Sequence, residues 1–153
     1  MTEPIRISLR LTCPPERAFS LWTDGVSLWW PPAHTVSGDP GTEVVFEAAK
    51  GGRIFERTAG GEEIDWGRIL VWEPSARLVY SWHLRADETD ATEVDIGFSA
   101  LPDGGCQLEI VHRGWERLGA RGPDWRDRNR RGWAGLLPHF AEACGGGTAS
   151  SAS

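Results

Sequence analysis

Residues 5–11 read IRISLRL, with Ile5, Ile7, Leu9 and Leu11 alternating against Arg6, Ser8 and Arg10. A repeat of two sets the apolar side chains on one face of an extended chain, so this stretch predicts a half-buried strand. The period then lengthens. In CPPERAFSLWTDG (13–25) the residues Ala18, Phe19, Leu21 and Trp22 form a helical stripe, the prolines suit a first helical turn, Glu16 complements its positive end and Gly25 stops it. VSLWWPP (26–32) predicts a second, very short helix ended by Pro31 and Pro32.

From 42 to 113 the alternation returns. TEVVFEA leads into Gly51-Gly52, RIFERTA into Gly60-Gly61, and FSALPD into Gly104-Gly105; a glycine pair supplies the positive φ angles of a tight hairpin. With EIDWGRILVWE, RLVYSWHL, ATEVDIGFSA and CQLEIVHR this makes six strands, seven with the first, and no stretch reads as a parallel crossover. After Gly122 the period is helical again. Pro123 and Asp124 open a long closing helix whose stripe is Trp125, Asn129, Trp133, Leu136, Leu137 and Phe140, weakened by Gly132, Gly135 and Pro138. The expected organisation is one domain over 1–144, with 145–153 a flexible tail lacking core-forming side chains.

The order strand, two small helices, six antiparallel strands, long helix is that of an α+β helix-grip fold, in which a curved sheet wraps the last helix. CPPERAFSLWTDGVSLWWPP, GGRIFER, EIDWGRILVWEPSARLVYSW and EIVHRGW resemble the activator of Hsp90 ATPase homologue family, within the SRPBCC or START-like superfamily. The resemblance spans roughly residues 5 to 143. It implies the helix-grip fold and a cavity, and a function among those of the superfamily: binding lipids, polyketides or hormones, cyclisation chemistry, or stimulation of a chaperone ATPase, the last associated in the namesake with more than this one domain.

Composition narrows the partners. A net charge of −6 argues against a general nucleic-acid binder, and no apolar run reaches the roughly 18 residues of a membrane span, so a cytoplasmic location is expected. Cys13, Cys106 and Cys144 are an odd number at wide spacing, which favours inert packing thiols over disulfides or zinc, and no metal or cofactor is expected. The basic run Arg121, Arg126, Arg128, Arg130 and Arg131, interleaved with Asp124 and Asp127, is either a solvated helix face or a patch for an anionic ligand.

Register supplies the candidate site. Val94, Ile96 and Phe98 share a face, as do Leu108, Ile110 and His112; Glu56 falls in phase with Ile54, Arg68 with Trp66 and Leu70, and Asn129 lies on the apolar stripe of the closing helix. An unpaired buried polar group costs on the order of 1–3 kcal/mol, so four inward polar residues imply mutual pairing, water or a ligand. Trp66, Trp82 and Trp133 in the matching phase would form the walls; either one of Trp29 and Trp30 closes the cavity while the other packs under the helix, or both are hydrophobic plugs.

The expected ligand set is therefore Trp29, Trp30, Glu56, Trp66, Arg68, Trp82, Phe98, His112, Asn129, Trp133 and Phe140, for a hydrophobic, lipid- or polyketide-like small molecule bound without catalysis by a monomer or weak homodimer. Two alternatives stay open. One is a chaperone-binding module of the ATPase-activator type. The other is a cavity enzyme with His112 as acid or base and Glu56 orienting it; no nucleophile elbow, metal-protease, P-loop or dinucleotide motif is present, and His34, His83 and His139 read as isolated surface or helix residues.

Overall fold

The computed structural model describes residues 3–83 and 91–145. Seven strands, β1 (Ile5–Leu11), β2 (Glu43–Phe46), β3 (Arg53–Arg57), β4 (Glu63–Glu73), β5 (Arg77–Trp82), β6 (Thr92–Ala100) and β7 (Cys106–Arg113), form one antiparallel sheet in the order β1-β7-β6-β5-β4-β3-β2. Helix α1 (Pro15–Trp22) follows β1, and α2 (Gly122–Ala143) closes the chain against the sheet. This is the α+β helix-grip arrangement.

The hairpin glycines behave as their pairing demands: Gly51, Gly61 and Gly104 take φ of +84°, +88° and +90°. β1 alternates buried and less buried residues along its whole length, and its Ile7 lies opposite Ile110 of β7, so both central apolar rows face α1 and α2. The outer face is polar. Cross-strand pairs cover it, among them Arg53 with Asp65 at 2.8 Å, Arg77 with Asp95 at 2.8 Å and Arg113 with Glu93 at 2.9 Å. Exposed pairs of this kind contribute about 0–1 kcal/mol each, so they specify which face looks outward more than they stabilise it.

Two local predictions need correction. The WWPP region is not one short helix but two 3-10 turns, Val26–Leu28 and Pro32–His34, with Pro32 opening the second turn as well as breaking the first. A further 3-10 segment, Trp115–Arg121, precedes α2 and has no counterpart in the periodicity. More consequential is Arg68. It does not share the inward face with Trp66, because the β3–β4 register opens a bulge at Trp66-Gly67 and reverses the alternation: Trp66, Gly67 and Ile69 are buried while Arg68 and Leu70 face solvent.

Gly67 is required by close approach. A methyl group there would collide with the carbonyl oxygen of Ser81 on β5. Gly67→Ala is therefore expected to push β4 off β5 and to destabilise the protein by about 2–3 kcal/mol in urea unfolding. Gly97→Ala on β6, where nothing lies within 4 Å of the new carbon, is the matched substitution that should not.

Candidate functional site

Between one end of the sheet and the first half of α2 lies a cavity of about 310 Å³. Its walls are aromatic: Trp30 from the loop after α1, Trp82 from the end of β5, Trp115 from the 3-10 segment, and Trp125 and Trp133 from α2, with Leu118 and Leu136 between them. Polar groups reach it from His34, Thr35, His83, Thr92, Arg121, Arg128 and Asn129. Among the described residues the lining holds no carboxylate.

The tryptophans are fixed from behind. Trp30 donates its indole N–H to the His34 carbonyl at 3.1 Å, which closes the turn made by the two prolines, and its ring packs 5.2 Å from Trp66 and 6.1 Å from Trp82. Trp29 points the other way. Its indole N–H donates to the Leu21 carbonyl at 2.7 Å and its ring lies against Trp22 and Phe140, under α2. The doubled tryptophan thus divides its work, one ring lining the cavity and one joining α1 to α2.

Behind the cavity, His112 is fully buried, and burial lowers its pKa to about 3. It is neutral, and its tautomer follows from its neighbours. The Trp133 indole can only donate, and sits 3.1 Å from Nδ1, so Nδ1 accepts; Nε2 therefore carries the proton and donates to Thr92 Oγ1 at 2.7 Å. Thr92 passes its own hydrogen to the Trp82 carbonyl at 3.1 Å. Trp115 completes the cluster, its ring 4.4 Å from the imidazole and its N–H donating to the His112 carbonyl at 2.9 Å. One histidine thereby holds three of the cavity's tryptophans in place.

Glu56 is equally buried and equally occupied. Oε1 accepts from the Val36 amide at 2.6 Å and the Trp66 indole at 2.8 Å, and Oε2 from the Ser37 amide at 3.0 Å. Burial alone would raise its pKa, but these donors, the Ser37 and Val36 amides foremost, hold it below the ordinary carboxylate range. The carboxylate anchors the loop that carries Trp30, His34 and Thr35.

Of the residues expected to meet a ligand, Trp30, Trp82, Asn129 and Trp133 lie on the cavity. Asn129 donates from Nδ2 to the Trp125 carbonyl at 2.8 Å. Trp66, Glu56 and His112 stand one layer behind. Trp29, Phe98 and Phe140 belong to the core, Phe98 packing 5.3 Å from Phe19, and Arg68 is on the outer surface. The expected His112–Glu56 pair is not formed: each is saturated by other partners, so no acid–base couple exists between them.

His34 and His83, read from sequence as isolated, both line the cavity; burial and the nearby His139 lower the His34 pKa. The signal for His34 was its place directly after WWPP. The cysteines, distant in sequence, come together, with Cys13 and Cys144 in contact and Cys106 nearby; burial pushes the Cys106 thiol up to about 11 and Cys144 higher still, so both stay protonated and unreactive. Among the described residues no group of three or more His, Cys, Asp or Glu is placed to hold a metal.

A curved antiparallel sheet gripping a terminal helix, with an aromatic cavity at one end, defines a helix-grip domain of the SRPBCC or START-like class. Within that class the chain belongs to the family described as "Activator of Hsp90 ATPase homolog 1-like protein", whose model matches residues 12–145. Among solved structures it is similar to CalC, a self-sacrificing resistance protein from Micromonospora echinospora, at 26% identity over 93% of this chain and 94% of that one, TM-score 0.71. It is also similar to an anthrahydroquino-γ-pyrone synthase, Txn09, solved as a complex, at 30% identity over 80% and 84%, TM-score 0.59. An Hsp90 activator from Plasmodium falciparum, PFC0360w, shares the fold at 18% identity over 99% and 100%, TM-score 0.68. No curated protein sequence matches the chain.

The buried histidine gives a pH dependence of defined sign. Its folded pKa, about 3, lies below its ordinary 6.5, so between those values the unfolded chain binds the extra proton. Stability from this group is complete above about pH 6.5 and falls as the pH drops toward 3, at a slope of up to about 1.4 kcal/mol per pH unit. Urea unfolding at pH 7 and pH 5 should show the loss in the native protein. His112→Gln, which can still accept from Trp133 and donate to Thr92 but does not titrate, should lower stability at pH 7 and flatten the dependence.

Proposed function

We propose that the chain binds a small, flat, largely apolar molecule in the cavity between the sheet end and α2, and does so without catalysing a reaction on it. The cavity itself carries this reading: five indoles form rigid apolar walls, and a few polar groups interrupt them, which is the composition of a small-molecule site. A volume of about 310 Å³ stands at the small end of the roughly 300–1,000 Å³ range of such sites and favours a compact ring system over a long acyl chain. The occupied state of both His112 and Glu56 supports binding over acid–base chemistry. The description of one relative, an anthrahydroquino-γ-pyrone synthase solved as a complex, fits a fold that accepts ring compounds.

The family description favours a second reading, in which the chain acts on a chaperone ATPase. That reading needs a free surface. Four guanidinium groups on the sheet's outer face, those of Arg53, Arg57, Arg77 and Arg113, are instead engaged with carboxylates of the same sheet. Adding the protein to purified Hsp90 should leave its ATPase rate unchanged; stimulation at stoichiometric protein would favour the chaperone reading.

Gly132 allows a decisive test. It lines the cavity in the middle of α2, and a Cβ built on it meets no atom within 4 Å. Gly132→Ala should therefore stabilise the helix by about 1 kcal/mol. Gly132→Leu should fill the cavity and leave the fold intact. With a panel of naphthalene- and anthraquinone-type compounds, the native protein should show quenched tryptophan fluorescence and a raised melting temperature, about 2.7 kcal/mol of added stability at a hundred times the dissociation constant. The leucine variant should lose both responses. Equal responses from the two proteins, or none from the native one, would overturn the assignment of this cavity as the ligand site.

A further inference from the structure

The polar atoms of the cavity are unequal in kind. Thr35 and Thr92 are used up: Thr35 Oγ1 donates to the Pro32 carbonyl at 2.6 Å and accepts from the Gly38 amide at 3.0 Å, and Thr92 stands between His112 and the Trp82 carbonyl. Three of the five indoles, Trp30, Trp115 and Trp133, donate to the scaffold. What is left toward the cavity is the indole N–H of Trp82 and of Trp125, for which the described residues provide no acceptor, the ring nitrogens of His34 and His83, the guanidinium of Arg128, and, as an acceptor, Oδ1 of Asn129.

Arg128 differs from the arginines of the sheet. Arg53, Arg57, Arg77 and Arg113 sit against carboxylates, whereas Arg128 makes no ion pair among the described residues and lies over the face of Trp125, its guanidinium carbon 5.3 Å from the ring centroid. Stacking on an indole leaves the five in-plane N–H groups of a guanidinium available, and the fork they form matches a planar oxyanion. Both partners of that stack line the cavity. Among the described residues that line the cavity there is no acidic side chain to oppose a negative ligand or to pair with a positive one.

Resting on the reading of this cavity as a ligand site, we propose that it selects a planar aromatic anion, a carboxylate or phenolate on a fused-ring body, over the same ring system in neutral form, and that Arg128 carries the selection. The indole walls would take the rings and the donor-rich lining the charged oxygens. The chain's overall charge of −6 opposes such a ligand at long range, so the preference has to be local, and added salt should weaken it.

The test compares 2-naphthoate with 2-naphthamide, nearly equal in shape and different in charge, titrated by tryptophan fluorescence at low salt. The native protein should bind the naphthoate at least tenfold more tightly, and 0.5 M sodium chloride should reduce that ratio. Arg128→Gln, at an exposed helical position and therefore expected to fold, should bring the ratio to threefold or less while leaving the affinity for the naphthamide within twofold. Equal affinity of the native protein for the two probes would overturn the preference for anions and leave the cavity as a binding site. A ratio unchanged in the variant would overturn the role of Arg128. Binding of neither probe would overturn this inference, and the ring-compound panel would then decide separately whether the cavity binds anything.

Discussion

A single proton on His112 Nε2 determines the inner wall of the cavity. Because Trp133 can only donate, Nδ1 must accept, and the remaining proton must go to Thr92, whose own hydrogen is then directed at the Trp82 carbonyl. The chain of donors runs from α2 through β7 to β6 and the end of β5, so the helix cannot shift along the sheet without stranding a buried polar group. Such a loss costs about 1–3 kcal/mol, which a domain of ordinary marginal stability feels strongly. In this arrangement both imidazole nitrogens are engaged by protein partners.

Glu56 performs the matching task on the opposite wall. The loop from Thr35 to Ser37 has no strand or helix to satisfy its amides, and the carboxylate takes two of them together with the Trp66 indole. Two buried polar residues, one neutral and one ionised, thus set the positions of indoles that have little choice of their own. The indole N–H recurs as the coupling device, at Trp29, Trp30, Trp66, Trp115 and Trp133, which accounts for a chain with nine tryptophans and one tyrosine. Among the fully buried side-chain polar atoms of the described residues, Trp22 Nε1 is the one left without a hydrogen bond.

How far the sequence revealed this depends on whether a signal was local. The strands, the glycine-pair hairpins and the closing helix follow from periodicity, which short-range sterics enforce. The inward phases of Glu56 and His112 follow too, since β3 near Glu56 and β7 keep their alternation. Arg68 fails for a definite reason. The bulge at Trp66-Gly67, where the backbone passes close to Ser81 of another strand, inserts one extra residue and reverses the phase of Arg68 to Leu70, until a second shift between Ile69 and Val71 returns Trp72 to the core side against Phe19. Which polar residues partner one another was likewise hidden, because Thr92, His112 and Trp133 meet only through tertiary packing. His34 and His83 sit where alternation stops, at a proline turn and just past the last strand residue, so no period could assign them a face.

Gly132, in the middle of α2, supports the proposed reading of the hollow as a ligand site. A mid-helix glycine is worth about 1 kcal/mol less than alanine, and Gly132 and Gly135 lie one turn apart on the side of α2 that meets the loop and the cavity. At Gly135 a Cβ would stand 3.4 Å from both Cε1 and Nε2 of the His34 ring, a contact that packing could accept. At Gly132 nothing lies within 4 Å to be accommodated, so the helix receives no packing contact in return for its weaker propensity, and what the glycine preserves is volume. A site selected for stability alone would be filled by the first alanine or leucine to arise there. An open, indole-walled space kept at the expense of helix stability is what a protein that must admit a guest would retain.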